Sequence, residues 1–279
     1  MGKDARAVSS PPARSAGRGR RKLSEYRGAP IVLGTIGVAV TILAFQAASK
    51  LGLISEHIPP IFTILRSLAT IVTEGEFWSL AWKTMWQVLL GLAIAAGIAI
   101  PCGLAIGSSM TAWRAVRPTV EFLRPVPAVA LIPVTILLYG NGVKSAVILI
   151  AFGTLWALLL QAIYGRREVD PIAMETARSF QLGFVDRYRH LIIPTALPFL
   201  ATGMRLIASG ALMLAIVTEM VTGATGLGNA IILEQNAGNF NEMYALIVAA
   251  GLLGLVLNVS LAKIEDRLLS WHPSRREVS

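Results

Sequence analysis

The chain has 279 residues, of which 54% are hydrophobic and 15% charged, with a mean hydropathy of +0.64. That excludes an ordinary soluble domain and points to a bilayer. Its formal net charge of +9 would suit nucleic acid if the basic residues shared one folded face. They sit instead in tails and alternate loops, so no nucleic-acid partner is expected. The single cysteine, Cys102, lies in an apolar run, which leaves no internal disulfide, metal cluster or redox pair.

Residues 1–28 hold Lys3, Arg6, Arg14, Arg18, Arg20, Arg21, Lys22 and Arg27 among Ser, Pro, Gly and Ala. With almost nothing to bury, they read as a disordered basic tail ahead of one transmembrane domain over residues 29–279. The apolar run at about 30–48 is longer than the core of a secretory leader, and the basic region before it is far too long for one. It therefore reads as a first span. The run IPPIFTILRSLATIVTEGEF, broken by Pro59-Pro60 and carrying Arg66, Glu74 and Glu76, reads as a surface helix lying along the membrane.

Further spans are expected at about 82–107, kinked at Pro101, and at 120–139, interrupted by Pro125, Pro127 and Pro133. Prolines this dense predict a broken helix. Inside a membrane such breaks are tolerated only against protein or a water-lined cavity, which makes Pro127 and Pro133 candidates for a pathway wall. Gly140-Asn141-Gly142 turns the chain into a fourth span at 143–163.

A polar island over residues 165–198 then interrupts the apolar pattern. Asp170 followed by Pro171 is a good N-cap and first helical residue, and Gly183 can close the helix in the left-handed conformation. Ile172, Ala173, Thr176, Ala177 and Phe180 share one side, while Glu175, Arg178, Ser179 and Gln181 fall on the other. A second short helix through Asp186 and Arg189 is expected to stop before Pro194. A fifth span at 199–220 and a sixth at 244–262 complete an all-α membrane fold.

Charge decides whether the doubtful third segment crosses. If it does, the tail, Arg114, Arg117, the arginine-rich island and Lys263 to Arg276 share one side, and the positive-inside tendency makes that side cytoplasmic. Six spans with both termini in the cytoplasm follow.

Ionisable residues inside spans are functional candidates by default. Arg205 near the start of the fifth span could anchor the cytoplasmic end of its helix or offer a donor fork to an anion in transit. Glu219, near the far end of the same span, could be an outer-surface residue or a gate contact. Lys83 reads as snorkelling to the interface. No phosphate-binding loop or paired-histidine metal motif is present, and His57, His190 and His272 fall in loops or tails.

Glu175-Thr176-Ala177, with Leu191, Ile193 and Pro194 following, resembles the EAA loop of the integral membrane subunits of ATP-binding-cassette importers. Pro194 stands nineteen positions after Glu175, the family interval. The family glycine should fall at Gln181, whereas this chain has Gly183, so a helix half a turn longer is expected. The runs PVPAVALIPVTILLYGNGVKS, MRLIASGALMLAIVTEM and GLGNAI resemble the branch that imports sulfonates, taurine and nitrate. The resemblance implies a type I importer permease fold of six helices with a cytoplasmic coupling helix. Asp170, Pro171, Glu175, Thr176, Ala177, Arg178, Phe180, Gly183 and Pro194 would then engage a separate ATPase that holds ATP and Mg, with no cofactor on this chain. It also implies an extracytoplasmic solute-binding protein, a homodimer in membrane lipid, and a path near Arg205, Glu219, Pro127 and Pro133. An intramembrane lipid-modifying enzyme or a non-transporting scaffold are the rival readings. The enzyme would need acidic or histidine groups converging at one depth.

Overall fold

The computed structural model describes residues 29–51 and 57–269; the predicted basic tail lies outside them. The chain divides into two units at residue 54. In the first, α1 (Ala29–Lys50) is a helix of 22 residues that coincides with the first expected span.

The second unit is built on four helices long and apolar enough to cross a membrane. These are α3 (Gly75–Gly107), α6 (Val143–Arg167), α9 (Ile193–Thr222, helical from Phe184) and α11 (Phe240–Leu268). The third expected span is not one rod. α4 (Met110–Leu123), capped by the Ser109 hydroxyl, and α5 (Ile132–Tyr139) meet through a 3-10 turn at Ala128–Leu131 and are bent by 80°. Pro125 and Pro127 occupy the break, where each removes a backbone donor. Among the described residues the count is therefore four spans, or five with the bent pair taken as one.

α3 starts earlier than its hydropathy suggested. The expected surface helix splits: α2 (Ile61–Ile71) ends there, and α3 begins at Gly75 because Phe77 and Ala81 bury against Leu227, Ile231 and Met243.

Lipid tails are as apolar as leucine, so helices in a bilayer are held by close packing rather than by hydrophobic exclusion. α3 supplies that packing through small residues at every fourth position: Gly91, Ala95, Ala99, Gly103 and Gly107. A Cβ on Gly91 would stand 2.5 Å from the Ile150 side chain, one on Gly103 2.8 Å from the Leu159 carbonyl, and one on Gly107 2.8 Å from Arg166 Cβ. Partner numbers rise together, so α3 and α6 run parallel. Parallel neighbours require the chain between them to return across the bilayer, and the bent α4–α5 segment makes that return.

α9 runs antiparallel to α6. Gly165 packs on Ala196, Gly203 on Gln161 and Gly153 on Leu214. Thr202 reaches Glu265 of α11, which puts the end of α11 beside the start of α9. The island, the start of α4 and the end of α11 thus share one end of the bundle with Arg114, Arg117, Arg166, Arg167, Lys263 and Arg267. α2 and α10 (Leu227–Ala237) occupy the other end.

Gly103→Val should lower the thermal unfolding midpoint of the purified protein, at a cost of about 1–3 kcal/mol for overpacking. Gly97→Val should leave it unchanged, because a Cβ there meets nothing within 4 Å.

Candidate functional site

The island folds as α7 (Pro171–Ser179), a corner, and α8 (Phe184–Arg187). The N-terminus is as expected: Asp170 Oδ1 accepts the Ile172 N–H at 2.8 Å and Pro171 takes the first helical position. The corner differs. Gly183 sits at a φ of −60° and does not close the helix. Gln181 does, at a φ of +52°, where the resembling family carries glycine. The Gln181 N–H donates to the Arg178 carbonyl at 2.9 Å and the Leu182 N–H to the Ala177 carbonyl at 3.0 Å. This is the Schellman closure, with a glutamine where glycine is favoured. The helix is therefore not extended; a side chain bears the strain instead.

The two sides of α7 also fall differently from expectation. Ala177 is buried, Ala173 and Met174 are half-buried, and Glu175, Thr176 and Arg178 are exposed. Ile172 and Phe180, expected on the apolar face, are 72% and 77% exposed. Phe184 and Val185 across the corner are exposed as well, so the island turns four apolar side chains to its surroundings rather than to the bundle.

The second helix does not stop before Pro194. Helix is continuous from Phe184 to Thr222, with a π-turn at Tyr188–Ile192. Pro194 has no N–H for the His190 carbonyl and its ring would crowd it. The ladder widens just ahead, with the Ile193 N–H on the Tyr188 carbonyl five residues back. Proline is accommodated without a break.

Arg205 and Glu219 lie on α9 with unlike surroundings. Arg205 Nη1 is 3.4 Å from Glu265 Oε2, and the Thr202 hydroxyl donates to Glu265 Oε1 at 3.0 Å. Arg205 thus ties α9 to α11. Glu219 is fully buried, which overturns an outer-surface position. Its Oε1 accepts from Gln87 Nε2 at 2.8 Å, and its Oε2 from the Thr84 hydroxyl at 3.0 Å and the Gly228 N–H at 2.8 Å. The Thr84 hydroxyl in turn accepts the Leu227 N–H at 2.9 Å. Three donors from α3 and α10 thus converge on one carboxyl. Gly226 and Gly228 leave it the room: a Cβ on either would collide with Glu219 or its helix.

Pro127 and Pro133 are exposed, on the side of the bent segment that α6 does not cover. Glu175, on α7, lies at the end of the bundle where α9 begins and Glu219 near the end where α9 finishes, with about 39 Å of helix from Ile193 to Glu219, so they form no common catalytic depth.

Sequence reasoning missed Thr84, Gln87 and Glu265 as partners. Each is an ordinary polar residue near the end of an apolar run, and nothing local marks a contact with a residue 60 to 135 positions away. The four-residue spacing of small residues in α3 was the one available signal for the helix seam.

Comparison with known proteins agrees with this architecture. The profile of a family described as binding-protein-dependent transport system inner membrane component matches residues 95–269. A permease of Escherichia coli strain K12 named for aliphatic sulfonates transport, SsuC, is 30% identical over 237 residues, covering 84% of this chain and 89% of its own. The taurine transport system permease protein TauC of the same strain is 28% identical over 258 residues (88% and 91%). The nitrate import permease protein NrtB of Leptolyngbya laminosa is 30% identical over 197 residues (70% and 70%). Among solved structures, the MetNI methionine ABC transporter in inward-facing conformations shares the fold. Its TM-score is 0.60 at 19% identity, covering 69% of this chain and 95% of that one.

Gln181→Gly should relieve the left-handed strain by about 1 kcal/mol and slow amide exchange at positions 181 and 182 about fivefold; Gln181→Val should speed it. Exchange read by mass spectrometry on the island peptide checks both. Arg205→Ala and Glu265→Ala should each lower thermal stability, with the double variant losing less than the sum, in a double-mutant cycle.

Proposed function

The chain belongs to the family of binding-protein-dependent transport system inner membrane components, and within it we propose that this permease carries a small anionic solute of the sulfonate, taurine or nitrate kind. It is a multi-pass membrane transport subunit and not an enzyme. Family membership brings a separate ATPase and a solute-binding protein as partners. The solute class rests on the names of the relatives.

The island is the docking element for that ATPase. The observation that carries this is the exposure of Ile172, Phe180, Phe184 and Val185 on either side of one corner, with Glu175 and Arg178 exposed on the same short helix and Phe184 opening the helix that runs on into α9. Exposed aromatic and aliphatic anchors ringed by charge are what a partner's pocket recognises. Ala177 stays small because it lies buried beneath the helix. Asp170, Pro171 and the Gln181 corner fix the direction in which the helix presents Thr176 and Arg178. Gly183 and Pro194 set the passage into α9. ATP and Mg belong to the partner; this chain receives its closing motion through the island.

Orientation follows from charge. With the island end cytoplasmic, its cluster of arginines and lysines obeys the positive-inside tendency, and the C-terminal end of α11 is cytoplasmic too. Two copies form the working unit. The break at Arg124–Pro127 leaves irregular backbone in a membrane-spanning segment, which lipid does not satisfy. A second copy covering the exposed Pro127 and Pro133 face would satisfy it and enclose the path between the protomers, with lipid around the remaining surface.

Phe180→Ala should leave folding untouched and weaken retention of the ATPase about tenfold or more. Glu175→Arg should keep assembly but uncouple ATP hydrolysis from uptake. Co-purification, and uptake of taurine, an alkanesulfonate and nitrate by proteoliposomes carrying the cognate binding protein, test this. Parent-like retention and uptake in both variants would refute the docking role.

A further inference from the structure

Helix α10 has the build of a lid. Its eleven residues span about 16 Å, too short to cross a bilayer. It joins the end of α9 to the start of α11 on the side away from the island. A glycine with positive φ stands at each margin, Gly223 at 68° and Gly238 at 78°. A Cβ at either would meet nothing within 4 Å, so neither corner is wedged by packing. Between these corners α10 is held by the buried Leu227 and Ile231 and by the Glu219 cluster.

We propose that Glu219 is the latch of this lid. Its carboxyl holds the first turn of α10 down through the Gly228 N–H directly and the Leu227 N–H by way of the Thr84 hydroxyl. Gln87 closes the ring: its Nε2 donates to Glu219 at 2.8 Å and lies 3.3 Å from the Thr225 carbonyl, so α3 grips both the latch and the strap leading to it. Every partner of the carboxyl is a donor, and all of them lie on α3 or the α10 turn, while Glu219 rides on α9. A shift of α9 relative to α3 therefore cannot keep the ring intact. Displacing α9 releases the first turn of α10, which swings on Gly223 and Gly238 and opens the outer end. Glu219 acts as a positioning residue and touches no solute. This inference uses the transport reading only to give the opening a purpose.

The test uses the full chain assembled with its ATPase in membrane vesicles, with Cys102→Ser as background and Ala224→Cys as reporter. Ala224 is buried beside the latch, and Ala146→Cys, buried at the same end of α6, is the control. Each reporter is labelled with a membrane-impermeant maleimide from either side in turn. Glu219→Ala should speed labelling of Ala224→Cys from the outside about tenfold, the factor for a lost hydrogen bond to a charged group. The exchange Gln87→Glu with Glu219→Gln, which returns one carboxyl to the ring, should restore slow labelling, and Ala146→Cys should stay slow throughout. An unchanged rate in Glu219→Ala overturns the latch. Equal acceleration at Ala146→Cys also overturns it, because the bundle has then merely loosened, as does an exchange variant as fast as Glu219→Ala. Labelling confined to the cytosolic side would sink the proposed orientation and leave the latch standing.

Discussion

The structure depends on how closely α3 can approach α6. In a bilayer no water-driven force gathers helices, so contact must come from dispersion between surfaces that fit. A stripe of Gly and Ala at four-residue spacing lets the α3 backbone lie against α6, with Ile150, Leu159 and Arg166 filling the space a larger residue would take. Because that contact is parallel, it dictates the path of the intervening chain. The proline-broken segment has to cross back, and α9 can then return antiparallel against the other side of α6.

From this arrangement the two polar sites follow. The island is delivered to the end where α3 and α6 finish, among arginines and lysines. Glu219 is delivered to the end where α3 begins, within reach of Thr84 and Gln87. A buried carboxyl with three donors is an unusual thing to maintain in a membrane protein, since each group would be costly if left unpaired. The two glycines of the Gly226-Leu227-Gly228 run explain how it is maintained, because they let backbone amides close on the carboxyl. The sequence marked this run only by its resemblance to the importer branch, and the structure supplies what its glycines approach.

Much of the architecture was legible from residue order. Asp170-Pro171 announced a helix start because capping is local chemistry. Apolar runs announced the long helices because their length matches the bilayer. The arginines argued for a third segment that crosses and its prolines for a broken one, and the structure gives a pair of helices bent by 80° there. What escaped was re-registration of the backbone and contact at long range. Glycine preference argued for Gly183 as the corner, yet the Schellman bonds close on Gln181, since the burial of Ala177 and the cap at Asp170 fix the helix length first. Pro194 argued for a stop, yet a π-turn costs the chain less than losing the continuity of α9. Ile172 and Phe180 share a side with Ala177 by helical spacing, yet only Ala177 is buried, because periodicity gives the face of a helix and not what covers it.

The unbroken run from Phe184 to Thr222 carries a mechanical meaning of its own. Thirty-nine residues without a break make a rod of roughly 58 Å, and a rod has no slack in which a displacement can be lost. One tip stands beside the Gln181 corner and the other holds Glu219. A tilt of about 5° about its near tip would carry the far tip by roughly 5 Å over that length, more than any hydrogen bond can stretch. Had Pro194 ended the helix, the same push would be absorbed by a flexible joint at the membrane surface.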